Sequence, residues 1–284
     1  MGVLAYVKLL RPQQWLKNLM LFFPPFLAGS LLDPQVSVNG VPALVAFCLA
    51  SSAGYILNDI LDLDNDRLHP LKRHRPLSAG SIKPVTAATL AAVLFFGAAG
   101  IAASNLSLRF LLFLLLYLLI TVTYSLKVKN IPLLDVFCIA TGFLIRLLAG
   151  GEAFAVPVSD WLFLTVFLLA LFLSIGKRLT EKCSLGSDAE RHRKSLSGYP
   201  EGFLEGAMYL TGGAVLVTYS LYTISRGQLL HTVPLCCFGL LRYIMRVKTG
   251  RSGDPTESLL KDPALLLISF FWVISISVLV YGNR

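Results

Sequence analysis

The chain has 284 residues, of which 55% are hydrophobic and only 14% charged, with a mean hydropathy of +0.70. Soluble domains carry about 25% charged residues, so these figures exclude a soluble enzyme, a disordered chain and a secreted disulfide scaffold. The formal charge of +9 would point to nucleic acid in a soluble protein; here it is first a question of membrane topology.

A helix needs about 20 mostly apolar residues to cross about 30 Å of hydrocarbon. In chain order that ruler marks nine spans, roughly 18–34, 40–58, 87–106, 107–126, 132–150, 158–177, 203–223, 229–247 and 263–282. The expectation is an all-α, polytopic membrane protein, a single bundle of nine transmembrane helices forming one domain over 1–284. The opening MGVLAYVKLLRPQQWLKN leads straight into the first apolar run with no small-residue cleavage site, so no signal peptide is expected. Pro24-Pro25 and Gly212-Gly213 interrupt two spans, which neighbouring helices can accommodate. The five cysteines form no CxxC pair and the four histidines have no ligand spacing, so neither disulfide nor zinc is expected.

Placing the N-terminus in the cytoplasm puts 20 of the 25 bases on the inner side and only Arg109, Arg226 and Arg284 outside, while Arg146 and Arg242 fall within spans. That split satisfies the positive-inside rule, so no nucleic-acid partner is needed to explain the charge. The C-terminus then lies outside. The acids are gathered on the same inner side, leaving only Asp33, Glu152 and Asp160 elsewhere. The topology rule gives no reason for that, because acids contribute little to it. The inner polar stretches 59–86, 178–202 and 248–262 are therefore expected to cap a site.

The second span leaves the membrane as YILNDILDLDNDRLHPLKRHRPLSAG. At about 3.6 residues per turn, Asp59, Asp62 and Asp66 fall within about 60° of one another, with Asn58 alongside. Stacked carboxylates repel, and a hard dication such as Mg²⁺ between them removes the repulsion while bridging to phosphates. The competing reading is a solvated acidic helix end paired with Arg67, Lys72, Arg73 and Arg75. After the sixth span comes GKRLTEKCSLGSDAERHRKSLSGY, in which Lys177, Arg178 and Glu181 share a helical face. These are either bases snorkelling from a helix end or a polyphosphate-binding set. Arg146, inside the fifth span, either pairs with Glu152 or Asp135 or anchors an anionic ligand. Lys17, Lys127 and Lys129 mark span ends.

At these residues the chain resembles the UbiA superfamily of intramembrane prenyltransferases, through nine spans and an N-D-x-x-D-x-x-x-D motif after the second. It departs from members that prenylate aromatic acceptors, because the loop after span six lacks their second Asp-rich motif. Its blocks are instead similar to the branch that transfers phosphoribose to decaprenyl phosphate: RPQQWLKN, then Lys177-Arg178 with Glu181, then RKSL with Tyr199, then Arg242-Tyr243 and GDPTESLLKDP.

The resemblance implies 5-phosphoribosyl 1-diphosphate as donor, a polyprenyl phosphate in the bilayer as acceptor, and Mg²⁺ as cofactor. It implies Asp59, Asp62 and Asp66 as metal ligands that hold the leaving diphosphate, with Asn58 supporting them. Lys177, Arg178, Lys127 and Arg75 are expected at donor or acceptor phosphates, Arg146 at the lipid phosphate, and Lys17, Glu181 and Arg242 in the substrate site. The expected location is the bacterial cytoplasmic membrane, in a pathway to arabinan or a related envelope polymer. Two rivals remain: a prenyltransferase moving an isoprenoid onto an aromatic or other acceptor, and a lipid transporter, which would more often show internal repeats. No feature of the sequence argues for an oligomer.

Overall fold

Prolines set several helix starts, where a missing N–H costs nothing because the first turn has no intrahelical partner for it. The structure, a computed structural model, describes residues 2–68, 72–185 and 194–282. Arg191, Arg193, Asp188, Glu190, His69 and His192 lie outside the described residues. The chain forms α1 (Gly2–Leu10), a 3₁₀ segment (Pro12–Phe22), α2 (Phe23–Leu27), α3 (Pro34–Leu61), α4 (Leu63–Leu68), α5 (Pro84–Asn105) and α6 (Leu108–Leu126). It continues with α7 (Leu134–Ala153), α8 (Asp160–Leu185), α9 (Lys194–Ser197), α10 (Phe203–Ser225), α11 (Val233–Lys248), α12 (Pro255–Lys261) and α13 (Pro263–Tyr281). There is no strand among the described residues.

Among the described residues eight helices, not nine, are long and apolar enough to cross a membrane. The difference lies at the first expected span, 18–34, which is no continuous α-helix. Pro24 and Pro25 remove two of the N–H donors such a helix would need. The 3₁₀ period of three instead aligns Trp15, Asn18 and Leu21 on one row. Trp15 Nε1 donates to Ser52 Oγ at 3.0 Å, Asn18 Nδ2 to Ser51 Oγ at 3.3 Å, and Leu21 is fully buried. At their respective rises the 3₁₀ segment and α2 together span about 30 Å, so the piece has crossing length without a continuous α-helix.

Two helices outrun the hydrocarbon. The 28 residues of α3 and the 26 of α8 measure about 42 and 39 Å. The candidate residues ride on these extensions: Asn58 and Asp59 on the last turn of α3, and Lys177, Arg178 and Glu181 on α8, which continues as helix to Leu185 where a loop from 178 was expected.

Contacts group the chain into two compact units: Met1–Pro25, Leu31–Lys129 and Ile145–Pro157 in the first, and Phe26–Ser30, Asn130–Leu144 and Val158–Arg284 in the second. In the first, α3 packs on α5 and α6 through small residues, with Ala43, Ala46, Ala50, Ala98 and Ala102 all fully buried. Close approach of backbones is how helices associate in lipid, where burial of apolar surface gives little drive. Phe47 fits between Phe110 and Tyr117 at ring distances of 5.7 and 5.4 Å. The second unit is built on α8 and α10, with Phe172, Met208 and Tyr243 buried and Gly212 admitting the Phe172 ring.

Candidate active site

In the first unit the helix pattern carries through the end of α3. Asp62 N–H donates to the Asn58 carbonyl at 2.9 Å and Asp66 N–H to the Asp62 carbonyl at 2.8 Å, so the carboxylates stay stacked across the break before α4. Asp59 and Asp66 are buried and Asp62 partly so. Each carboxylate meets a base. Arg75 Nη1 donates to Asp59 Oδ1 at 3.0 Å and to Asp66 Oδ2 at 2.5 Å, so two carboxylates share one nitrogen. Arg11 Nη2 donates to the same Asp59 oxygen at 2.5 Å, and Lys72 lies 3.8 Å from Asp66. Asp62 accepts from Lys129 through one oxygen and from Asn58 Nδ2 at 3.0 Å through the other.

These donors fit a hard dication. All the candidate ligands are carboxylate or amide oxygens, and Arg75 already joins Asp59 to Asp66 as a point of positive charge. Among the described residues no three acid, histidine or cysteine side chains are grouped to hold a metal by themselves. Waters and substrate oxygens would have to complete a shell, which is how Mg²⁺ is usually held.

Of the other expected residues in this unit, Arg146 is buried and donates from Nε to Asn18 Oδ1 at 2.8 Å and from Nη2 to Tyr117 OH at 2.9 Å, with its guanidinium 4.4 Å from the Tyr117 ring. Glu152 accepts from Ser107 instead. Lys17 is half-buried on the 3₁₀ segment, and Lys127 is exposed as the C-cap of α6.

In the second unit Asp135 is a hub. It is fully buried and accepts from Arg178 Nε at 2.7 Å, Ser195 Oγ at 3.2 Å and Tyr199 OH at 2.6 Å. Tyr199 OH in turn accepts from Leu133 N–H at 2.8 Å. Burial, and then the bond to Asp135, push the Tyr199 phenol well above its usual range. Arg178 also donates to Glu181 at 2.7 Å, one helical turn on. Lys177 is more open and pairs with Asp254 at 2.8 Å. Asp254 also caps α12, accepting from Thr256 and Glu257 N–H.

Asp262 plays the same double part at α13. It caps Ala264 and Leu265 N–H and receives Arg242 at 3.1 Å and Arg246 at 3.5 Å. Burial opposes its charge, yet the Arg242 bond and the two amides hold its carboxyl below the usual carboxylate range.

Residues 22–278 match the model of the UbiA prenyltransferase family. The chain belongs to that family. It is 32% identical to the decaprenyl-phosphate phosphoribosyltransferase of Mycolicibacterium smegmatis over 98% of this chain and 93% of that one. The enzyme of the same name from Corynebacterium glutamicum is 30% identical over 97% of this chain and 86% of its own length. In fold, the chain superposes on a UbiA homolog from Archaeoglobus fulgidus bound to GPP and Mg²⁺, with a TM-score of 0.77, 21% identity, and 97% and 99% of the two chains covered.

For this UbiA-family transferase, the geometry adds residues that spacing did not single out. Lys129, rather than Lys127 two positions earlier, reaches Asp62, because the 3₁₀ turn Val128–Asn130 swings the chain after α6. Arg11 is another, and Asp135, weighed from the sequence only as a partner for Arg146, holds Arg178. Their partners lie 48 and 43 residues away, and no local periodicity reports such a pairing.

Proposed function

We propose that the chain transfers 5-phosphoribose from 5-phosphoribosyl 1-diphosphate to the phosphate of a decaprenyl-type lipid, releasing diphosphate, for synthesis of a cell-envelope polymer of the arabinan type. The observation that carries the reading is the carboxylate stack whose two buried members share one guanidinium nitrogen, an acidic site built around positive charge and ringed with bases suited to phosphate. The names of the full-length relatives and the ordered sequence blocks support this donor and acceptor.

In this reaction the bond from ribose C1 to the diphosphate oxygen breaks and its electron pair leaves with diphosphate, while an oxygen of the lipid phosphate bonds to C1. The attacking oxygen is already ionised, so no side chain has to remove a proton. Asp59, Asp62 and Asp66 would hold Mg²⁺, with Asn58 orienting Asp62; when bound, the ion neutralises charge growing on the leaving group. Arg75, Lys127 and Lys177 serve the phosphates of the two substrates, Arg146 the lipid phosphate and Lys17 a further phosphate oxygen. Arg178 also serves a donor or acceptor phosphate, and Glu181 and Arg242 complete the substrate site; Arg178 is held by Asp135 and Glu181, and Arg242 by Asp262. The active face is cytoplasmic, the N-terminus lies on that side, and 12–27 makes a ninth crossing of a bacterial inner membrane.

The test supplies purified full-length chain with labelled phosphoribosyl diphosphate, decaprenyl phosphate and Mg²⁺. Lipid-linked phosphoribose should form, should stop with chelator, and should fall about 100-fold or more in Asp62→Ala. Product without divalent metal, or an undiminished Asp62→Ala, would overturn the assignment. Consumption of a prenyl diphosphate with an aromatic acceptor instead would establish the isoprenoid-transfer alternative.

A further inference from the structure

Arg11 holds a backbone shape that few residues adopt. Its φ of 53° and ψ of 60° are left-handed, and it precedes Pro12. A side chain other than glycine stays there only when surrounding contacts over-determine it. Those contacts line one stripe of α3. Ser52 Oγ donates to the Leu10 carbonyl at 2.8 Å and accepts from Trp15, and Tyr55 OH donates to Gln14 Oε1 at 3.2 Å. The Arg11 guanidinium lies 5.1 Å from the Tyr55 ring and ends on Asp59, next on the stripe. Arg11 is thus aimed at the first motif carboxylate by the fold itself.

The way it meets Asp59 is selective. Arg11 and Arg75 both bond Oδ1, and Oδ2 makes no hydrogen bond among the described residues although the side chain is only 3% exposed. That oxygen is the one Asp59 leaves available to a ligand. Yet the site is not short of positive charge. Four bases, Arg11, Lys72, Arg75 and Lys129, already face the three carboxylates. A bare dication would enter a cluster with one positive charge too many, whereas a dication arriving with diphosphate restores the balance.

We propose that Arg11 is a specificity-determining counter-charge that makes divalent cation and diphosphate bind together rather than separately. It balances Asp59 through Oδ1, leaves Oδ2 for the cation, and sets the site's charge so that the cation is held well only in company with an anion. The proposal rests on the diphosphate part of the proposed function and on neither the ribose nor the lipid.

The experiment measures Mn²⁺ binding to the full-length chain in detergent by electron paramagnetic resonance, with and without inorganic diphosphate. In the native chain diphosphate should tighten Mn²⁺ binding about tenfold or more, within the usual range for coupled sites. Arg11→Gln should bind Mn²⁺ alone more tightly than the native chain and lose most of that enhancement; Arg11→Lys should regain it. An enhancement of one in the native chain overturns the proposal whatever the variants do. So does a folded Arg11→Gln with the native enhancement. A chain that proves to transfer isoprenoid from a prenyl diphosphate leaves these expectations standing, so the two readings fail separately.

Discussion

At Asp262 one side chain closes a helix and meets two arginines, one of them buried. Replacing it with alanine removes the cap, worth about 1 kcal/mol, and leaves Arg246 without its carboxylate. Breaking a buried pair from one side costs about 3–5 kcal/mol. Asp262→Ala should therefore lower the thermal unfolding midpoint sharply, while Asp262→Asn, which still caps, should lose less. The folded carboxyl titrates below its unfolded counterpart. Its stabilisation is hence complete above the ordinary carboxylate range and is lost as pH falls through the folded value. A midpoint measured in detergent should drop on acidification in the native chain and less in Asp262→Asn; equal pH profiles would refute this. The span opening after Asp262 was legible in the sequence; the short helix that Asp254 caps falls inside the polar stretch expected over 248–262 and was not. Nor was it legible that these carboxylates hold Lys177 and Arg242, because those partners sit on other helices, 77 and 20 residues away.

Among the elements, the apolar ruler locates all eight long helices, missing by more than a few residues only at the start of α3 and the end of α8, which run six and eight residues past the expected bounds, since span length is a property of the bilayer and shows in any one segment. It fails on 18–34, where two prolines and a row of contacts at Trp15, Asn18 and Leu21 favour 3₁₀ geometry over α. Gly150 on α7 shows how tightly that segment is seated: a Cβ there would lie 2.0 Å from the Leu21 carbonyl oxygen, a backbone atom that cannot turn aside. Gly150→Ala should therefore cost at least the roughly 1–3 kcal/mol of overpacking and cut the yield of folded protein. Gly100→Ala, on α5 with nothing near its Cβ, should be neutral or gain up to about 1 kcal/mol from helix propensity. Equal unfolding midpoints for the two variants would refute the close seating. The carboxylate stack was legible for the same reason as the spans: a spacing of three and four residues on a helix is local information. Of the bases that meet it, Lys72 and Arg75 follow within the same polar stretch and could be read, whereas Arg11 and Lys129 could not.

For the molecule as a whole, the proposed orientation puts the end of α8 in the cytoplasm. Cys183 lies there and is exposed, while the other four cysteines lie within long helices and are buried or partly so. A membrane-impermeant maleimide should label Cys183 in inverted vesicles and leave it unlabelled in spheroplasts, with Cys183→Ser as the blank. Labelling of intact spheroplasts would reverse the topology. The proposed orientation is argued from the chain alone, because insertion acts on each loop's own bases. The grouping into two compact units could not be argued so, because it depends on which helix faces pack, and spans apolar all round do not declare that.

The hold of Arg11 on Asp59 also bears on how the protein is made. Arg11 is synthesised before α3, whereas Lys72, Arg75 and Lys129 all follow it. Of the four bases at the carboxylates, Arg11 alone precedes α3 in the chain, so it is the one base already made before the first motif carboxylate is.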